Sequence, residues 1–185
     1  MDRKNFFIKA CQFGVCSCAG MSLLAGTSAF AASTKPEMND EPDWRVGFMQ
    51  FRFSKLIEML NSSVDKPTRI KILENMGRAC SNKAAENYKK YIGDIDGFLK
   101  NLEESWAEKA SYDKEKKEIK IVGKKTENCF CPFVDKSKMT DEFCNCSLGW
   151  QKETIKNIIG KEVTAHIDSS ILKGGTSCNF TINVL

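Results

Sequence analysis

Two Cys-x-Cys pairs, Cys129–Cys131 and Cys144–Cys146, bracket twelve residues that contain no cysteine. Thiols set this closely can staple a loop, hold a metal ion or carry out redox chemistry. Zinc takes four soft or borderline ligands in a tetrahedron. Its usual signal is Cys-x-x-Cys, but on an extended segment Cys-x-Cys puts both side chains on one face, where they can still converge on one ion. A disulfide within one pair would close a small strained ring, whereas a bridge between the pairs, such as Cys131 to Cys144, closes an ordinary loop. The candidate set is Cys129, Cys131, Cys144, Cys146 and Cys178, as ligands of a metal, zinc being the cofactor expected, or as disulfides among themselves. Cys80 falls in a helical pattern, where a cysteine is more often a core residue than a ligand.

The compartment bears on the choice. Arg3, Lys4 and Lys9 precede a weakly apolar run from Phe13 to Phe30, and Ala29-Phe30-Ala31 has the small-x-small pattern of a signal-peptidase site. The expectation is export to the periplasm or cell surface, with residues 1–31 removed. The run is too rich in Gly, Ser and Thr for a good transmembrane helix. Arg3-Lys4-Asn5-Phe6-Phe7 resembles a twin-arginine motif with Lys4 at the second arginine, and Val15-Cys16-Ser17-Cys18 is a loose match to a lipid-attachment box. The membrane is therefore expected as a partner only through the signal or a lipid anchor. Cleavage takes Cys11, Cys16 and Cys18 with it and leaves six cysteines, an even number that suits disulfides in an oxidising compartment and a thiolate site equally.

Removing Asp2, Arg3, Lys4 and Lys9 lowers the formal charge from +4 to +2. No basic stripe with interleaved aromatics is present, so no nucleic-acid partner is expected.

Residues 32–43 are polar, carry two of the four prolines and read as a flexible linker. The remaining stretch, 44–185, has the length of a single domain. Its first part, 44–110, is helical by periodicity. One helix spans 44–60, with Trp44, Phe48, Phe51, Phe53, Leu56, Met59 and Leu60 as its apolar set. A second spans 66–89, opened by Asp65 and Pro67, with Ile70, Leu73, Met76, Ala79 and Cys80 inward and Gly77 free to let another element come close. A third spans 94–109 from the cap Asp94, with Phe98, Leu102 and Trp106 repeating every four residues. From 117 the pattern changes to a cysteine-rich α/β half: strands at 117–123, 161–172 and 178–185, and a helix at 147–160 closed by Gly160. Helices followed by a small antiparallel sheet define an α+β fold.

The only histidine, His166, lies on the outward phase of its strand if Ala165 and Ile167 face the core. It reads as a surface or pocket-edge residue, with a metal ligand or general base as the sharper alternative. A single histidine excludes most polyhistidine metal sites. The pairs Asp94/Asp96 and Glu103/Glu104 read as capping or solvated charges, and Gly174-Gly175 as a hairpin turn rather than a phosphate loop.

Cys144 stands five residues before Gly149-Trp150, and Leu172-x-Gly174-Gly175-x-x-Cys178-x-Phe180 leads into a last strand. This arrangement resembles the 4-vinyl reductase domain, a small-molecule-binding module in which a zinc-binding cysteine follows the Gly-rich turn; Cys178 fills that place. The chain departs from it at Ser169-Ser170, where such domains often carry another cysteine, so Cys129, Cys131 or Cys146 would supply that ligand. The same ending, with Cys131-Pro132, also resembles the L-2-amino-thiazoline-4-carboxylic acid hydrolase family, and Asn75-Met76-Gly77-Arg78-Ala79-Cys80 looks like a segment of uncharacterised cysteine-rich bacterial relatives. The likeness covers 125–185 well and the helical half loosely. It implies a domain that binds a small, largely apolar molecule, with Trp150 and Cys80 at the pocket and the cysteines as a structural or ligand-proximal centre. The alternatives are a hydrolase of a small cyclic C–N or C–S substrate, with Cys144, Cys146 and His166 as candidate catalytic groups, and a disulfide-stapled structural protein.

Overall fold

The computed structural model describes residues 43–185. The signal segment 1–31, its three cysteines and all of the linker except Asp43 lie outside the described residues.

Four helices are described: α1 (Trp44–Ser63), α2 (Lys66–Lys83), α3 (Ile95–Ser105) and α4 (Cys144–Ile159). Their ends follow from local chemistry. The carboxylate of Asp43 accepts from Arg45 N, that of Asp65 from Thr68 N with Pro67 in the first turn, and that of Asp94 from Gly97 N. Gly160 ends α4 in the left-handed conformation that glycine adopts without cost.

Four strands, β1 (Ala107–Asp113), β2 (Glu118–Gly123), β3 (Val163–Ser169) and β4 (Asn179–Val184), form one antiparallel sheet in the order β1-β2-β4-β3. The α+β expectation holds. Registers Ile119↔Ile182↔Ala165 and Ile121↔Phe180↔Ile167 put one apolar face together. On it α3 and α4 bury Phe98, Leu99, Leu102, Leu148, Ile155 and Ile158. The other phase, Lys120, Thr181 and His166 in one cross-strand row, faces outward.

α2 lies against α4. Arg69 pairs with Glu142 at 2.8 Å, Glu74 with Lys152 at 3.0 Å and Arg78 with Glu153 at 2.8 Å. Between them Ser81 is fully buried and shares a 2.8 Å hydrogen bond with Thr154. A second apolar cluster (Ile57, Leu73, Val134, Met139 and Phe143) joins α1, α2 and the segment 124–143 that connects β2 to α4.

Three expectations are corrected. Residues 107–109 belong to a strand: Trp106 caps α3, and β1 begins at the next residue. α2 ends at Lys83 and gives way to two short 3-10 turns that set Tyr88 into the core. Its inward line is Leu73, Gly77 and Ser81, while Ala79 and Cys80 are exposed. Third, Trp44, Phe48, Phe51, Leu56 and Met59 of α1 are exposed, and the helix joins the apolar cluster through Phe53, Ile57 and Leu60.

Candidate functional site

All six cysteines of the described residues are unbonded thiols. They come from four places. Cys129 and Cys131 lie in the connecting segment, held by Val134 N–H on Cys131 O and by Gln50 Nε2 on Pro132 O. Cys144 and Cys146 occupy the first turn of α4. Cys178 precedes β4, where its carbonyl accepts from Gly123 N at 3.1 Å. Cys80 lies on the last turns of α2, on the flank shared with Leu73 and Met76.

The thiols of these segments are neighbours. Burial pushes the Cys129 thiol up to about 11, and the thiolates of Cys178, Cys144 and Cys131 add to the rise. Cys146 is pushed up to about 12, first by burial and then by Cys80 and Cys131. Cys144 is also raised, first by burial. At neutral pH these three are neutral thiols and poor nucleophiles. Cys129 thus feels the charges of Cys178, Cys144 and Cys131, and Cys146 those of Cys80 and Cys131. The donor chemistry suits a soft cation, whose charge would reverse the mutual repulsion. As they stand, no three His, Cys, Asp or Glu side chains among the described residues converge closely enough to hold a metal ion.

Cys144 Sγ donates to Ser170 Oγ at 3.2 Å. Ser170 is fully buried.

His166 is elsewhere. It is exposed on the outer face of the sheet, while α4 packs on the inner face. No Cys–His pair can form between it and Cys144 or Cys146. His166 Nε2 lies 2.9 Å from Asp168 Oδ1, and Thr181 Oγ1 donates to Asp168 Oδ2 at 2.8 Å. Both carboxylate oxygens of Asp168 are thus engaged. With Glu118, Lys120 and Val122 these groups line an open concavity of about 360 Å³. The sequence reading found His166 on this phase but missed Lys120, Asp168 and Thr181. Their signal was the same period-two alternation that placed His166.

Trp150 and Cys80 do not line that concavity. Trp150 is half-buried on α4, and its backbone N lies against Gly77. The space between helices and sheet is filled by Ile119, Ile121, Ile155, Ile158 and Ile182.

The fold is thus α3 and α4 on one face of a four-stranded antiparallel sheet, with a polar concavity on the open face. No protein-family model and no curated protein matches the chain. Solved structures do resemble it. Trafficking protein particle complex subunit 3 from Naegleria fowleri, covalently bound to palmitic acid, is 13% identical with a TM-score of 0.46, over 77% of this chain and 96% of that one. The phenol-responsive sensory domain of the transcription activator PoxR, with phenol, is 10% identical with a TM-score of 0.46, over 75% and 74%. A vinyl-4-reductase family protein from Methanocaldococcus jannaschii is 15% identical with a TM-score of 0.37, over 80% and 85%. These are distant likenesses of architecture, and no residue role passes through them.

Proposed function

We propose that the chain is an exported small-molecule-binding domain whose ligand rests on the open face of the sheet. The observation that carries this reading is the His166–Asp168–Thr181 array beside Lys120 at the concavity. Its polar groups are held in place before any ligand arrives, which lowers the ordering cost of binding. Lys120 is paired with Glu118 at 3.2 Å and His166 with Asp168, so the lining suits a polar ligand that shares these ion pairs, rather than the largely apolar molecule expected from the sequence. The thiol cluster is a separate centre that takes zinc or pairs oxidatively and fixes the connecting segment to α4. Export is supported by the sequence of residues 1–31.

The test is a thermal-shift screen of small carboxylic acids and amides. A rise in Tm that disappears in Lys120→Ala and His166→Ala supports the open face. A rise that survives both but disappears in Cys144→Ser moves the ligand to the thiol end. No rise with any probe favours the stapled scaffold.

A further inference from the structure

We infer that α1 lies on an anionic lipid surface through the face it turns away from the fold. That face carries Trp44, Phe48, Phe51 and Met59, exposed at 74%, 49%, 49% and 66%. The opposite face supplies the helix's apolar contacts with the rest of the chain, Phe53, Ile57 and Leu60. With Met49 and Leu56, both also exposed, the apolar surface left on this one helix reaches roughly 600 Å², at or above the largest patch of an ordinary monomer.

The charges on the helix decide what covers it. Arg45, Arg52 and Lys55 stand among the aromatic side chains, and the Arg52 guanidinium lies 5.8 Å from the centre of the Phe48 ring. Arg45 is paired with Asp43 and Lys55 with Glu58; Arg52 has no acidic partner among the described residues. In a two-fold pairing of this face with a second copy, these cations would be drawn into an apolar seam beside their own equivalents, with the desolvation that entails. At a bilayer interface the aromatic rings enter the acyl boundary while the arginine and lysine heads stay hydrated among phosphates. Among the described residues no helix is long and apolar enough to cross a membrane, so α1 would lie along the surface.

The experiment uses the full chain and vesicles of phosphatidylcholine with and without phosphatidylglycerol. The emission of Trp44 is read as the difference between wild type and Trp44→Phe. This readout reports on α1 even where residues 1–42 hold the chain to the vesicle. The expected result is a blue shift of Trp44 with anionic vesicles and its quenching by doxyl-labelled lipid. The Arg52→Gln/Lys55→Gln variant should need roughly thirtyfold more anionic lipid for half the shift, taking about 1 kcal/mol per cation near the surface. A Trp44 signal that ignores vesicles, even when the chain sediments with them, overturns the inference. So does a blue shift without lipid accompanied by a doubled mass in light scattering, which would assign the face to a second copy.

Discussion

Gly77 on α2 stands at the backbone of α4, and Gly149 on α4 stands at the backbone of α2. A methyl group on Gly77 would overlap the carbonyl oxygen of Cys146, and one on Gly149 would overlap that of Glu74. The two glycines let the helices touch main chain to main chain, and the Ser81–Thr154 bond and the flanking ion pairs are built on that approach.

Gly77→Ala and Gly149→Ala are each expected to destabilise the domain by about 2 kcal/mol or more, in spite of alanine's better helix propensity. The obstruction is backbone, not a side chain that can swing away. Because one separation of the helices relieves both overlaps, the double variant should lose clearly less than the sum. Urea unfolding of the three variants measures this. Additive losses would mean that the two contacts yield independently.

This crossing also shows what was legible in the sequence. Gly77 was read as a point of close approach, and the caps Asp65, Asp94 and Gly160 were read from residue type. These signals are local, and the structure keeps them. The inward face of α2 was misread because two of its three contact residues, Gly77 and Ser81, carry no apolar signal, so Ala79 and Cys80 were counted in their place. β1 was missed because Phe98, Leu102 and Trp106 continue a helical repeat to the residue before the strand. The aromatic residues of α1 have the pattern of a core helix, and no pattern tells which apolar face the rest of the chain will cover. At the thiol end four cysteines were named from the spacing of their Cys-x-Cys pairs and Cys178 from a family resemblance, but the contact of Cys144 with Ser170 depends on the tertiary path.

Ser81 presents a hydroxyl that both Thr154 and Tyr88 reach, at 2.8 and 3.2 Å, with no water-exposed surface. Ser81→Ala should cost about 1–3 kcal/mol, since it leaves the Thr154 hydroxyl buried with one partner fewer. Ser81→Ala with Thr154→Val removes both ends of that bond and should recover part of the loss. A double variant no better than the single would mean that packing, and not the orphaned hydroxyl, sets the cost.

Alkaline pH should weaken the reduced, metal-free protein. The Cys129 and Cys146 thiols are raised to about 11 and about 12, from 9.0. The folded state therefore holds these protons more tightly than the unfolded chain. The stability linked to them is complete below pH 9 and is lost as pH rises through 11 to 12. Urea midpoints measured across that window should fall, and Cys146→Ser should flatten the upper part of the decline. An unchanged slope in Cys146→Ser would place the titration on other groups.

Ser170→Cys offers the sharpest test of the thiol end. The substitution is small and puts a fourth thiol beside Cys144, which already has Cys129 and Cys178 as neighbours. Zinc prefers four thiolates to three with a hydroxyl. If the cluster is a metal centre, wild-type protein purified without chelator should carry about one zinc per chain. Ser170→Cys should then hold it against a competing chelator by a factor of roughly ten or more, the scale at which a group contacting a ligand affects affinity. Zinc should also be released as pH falls, with protons taken up in its place, because each thiolate must be reprotonated. If the cluster is a set of disulfides, wild-type protein should show neither zinc nor free thiols, and Ser170→Cys should add one reactive thiol without adding metal. Zinc bound equally well by wild type and Ser170→Cys would mean that Ser170 does not face the ion, and the ligands would then have to be sought on the Cys80–Cys146–Cys131 side of the cluster.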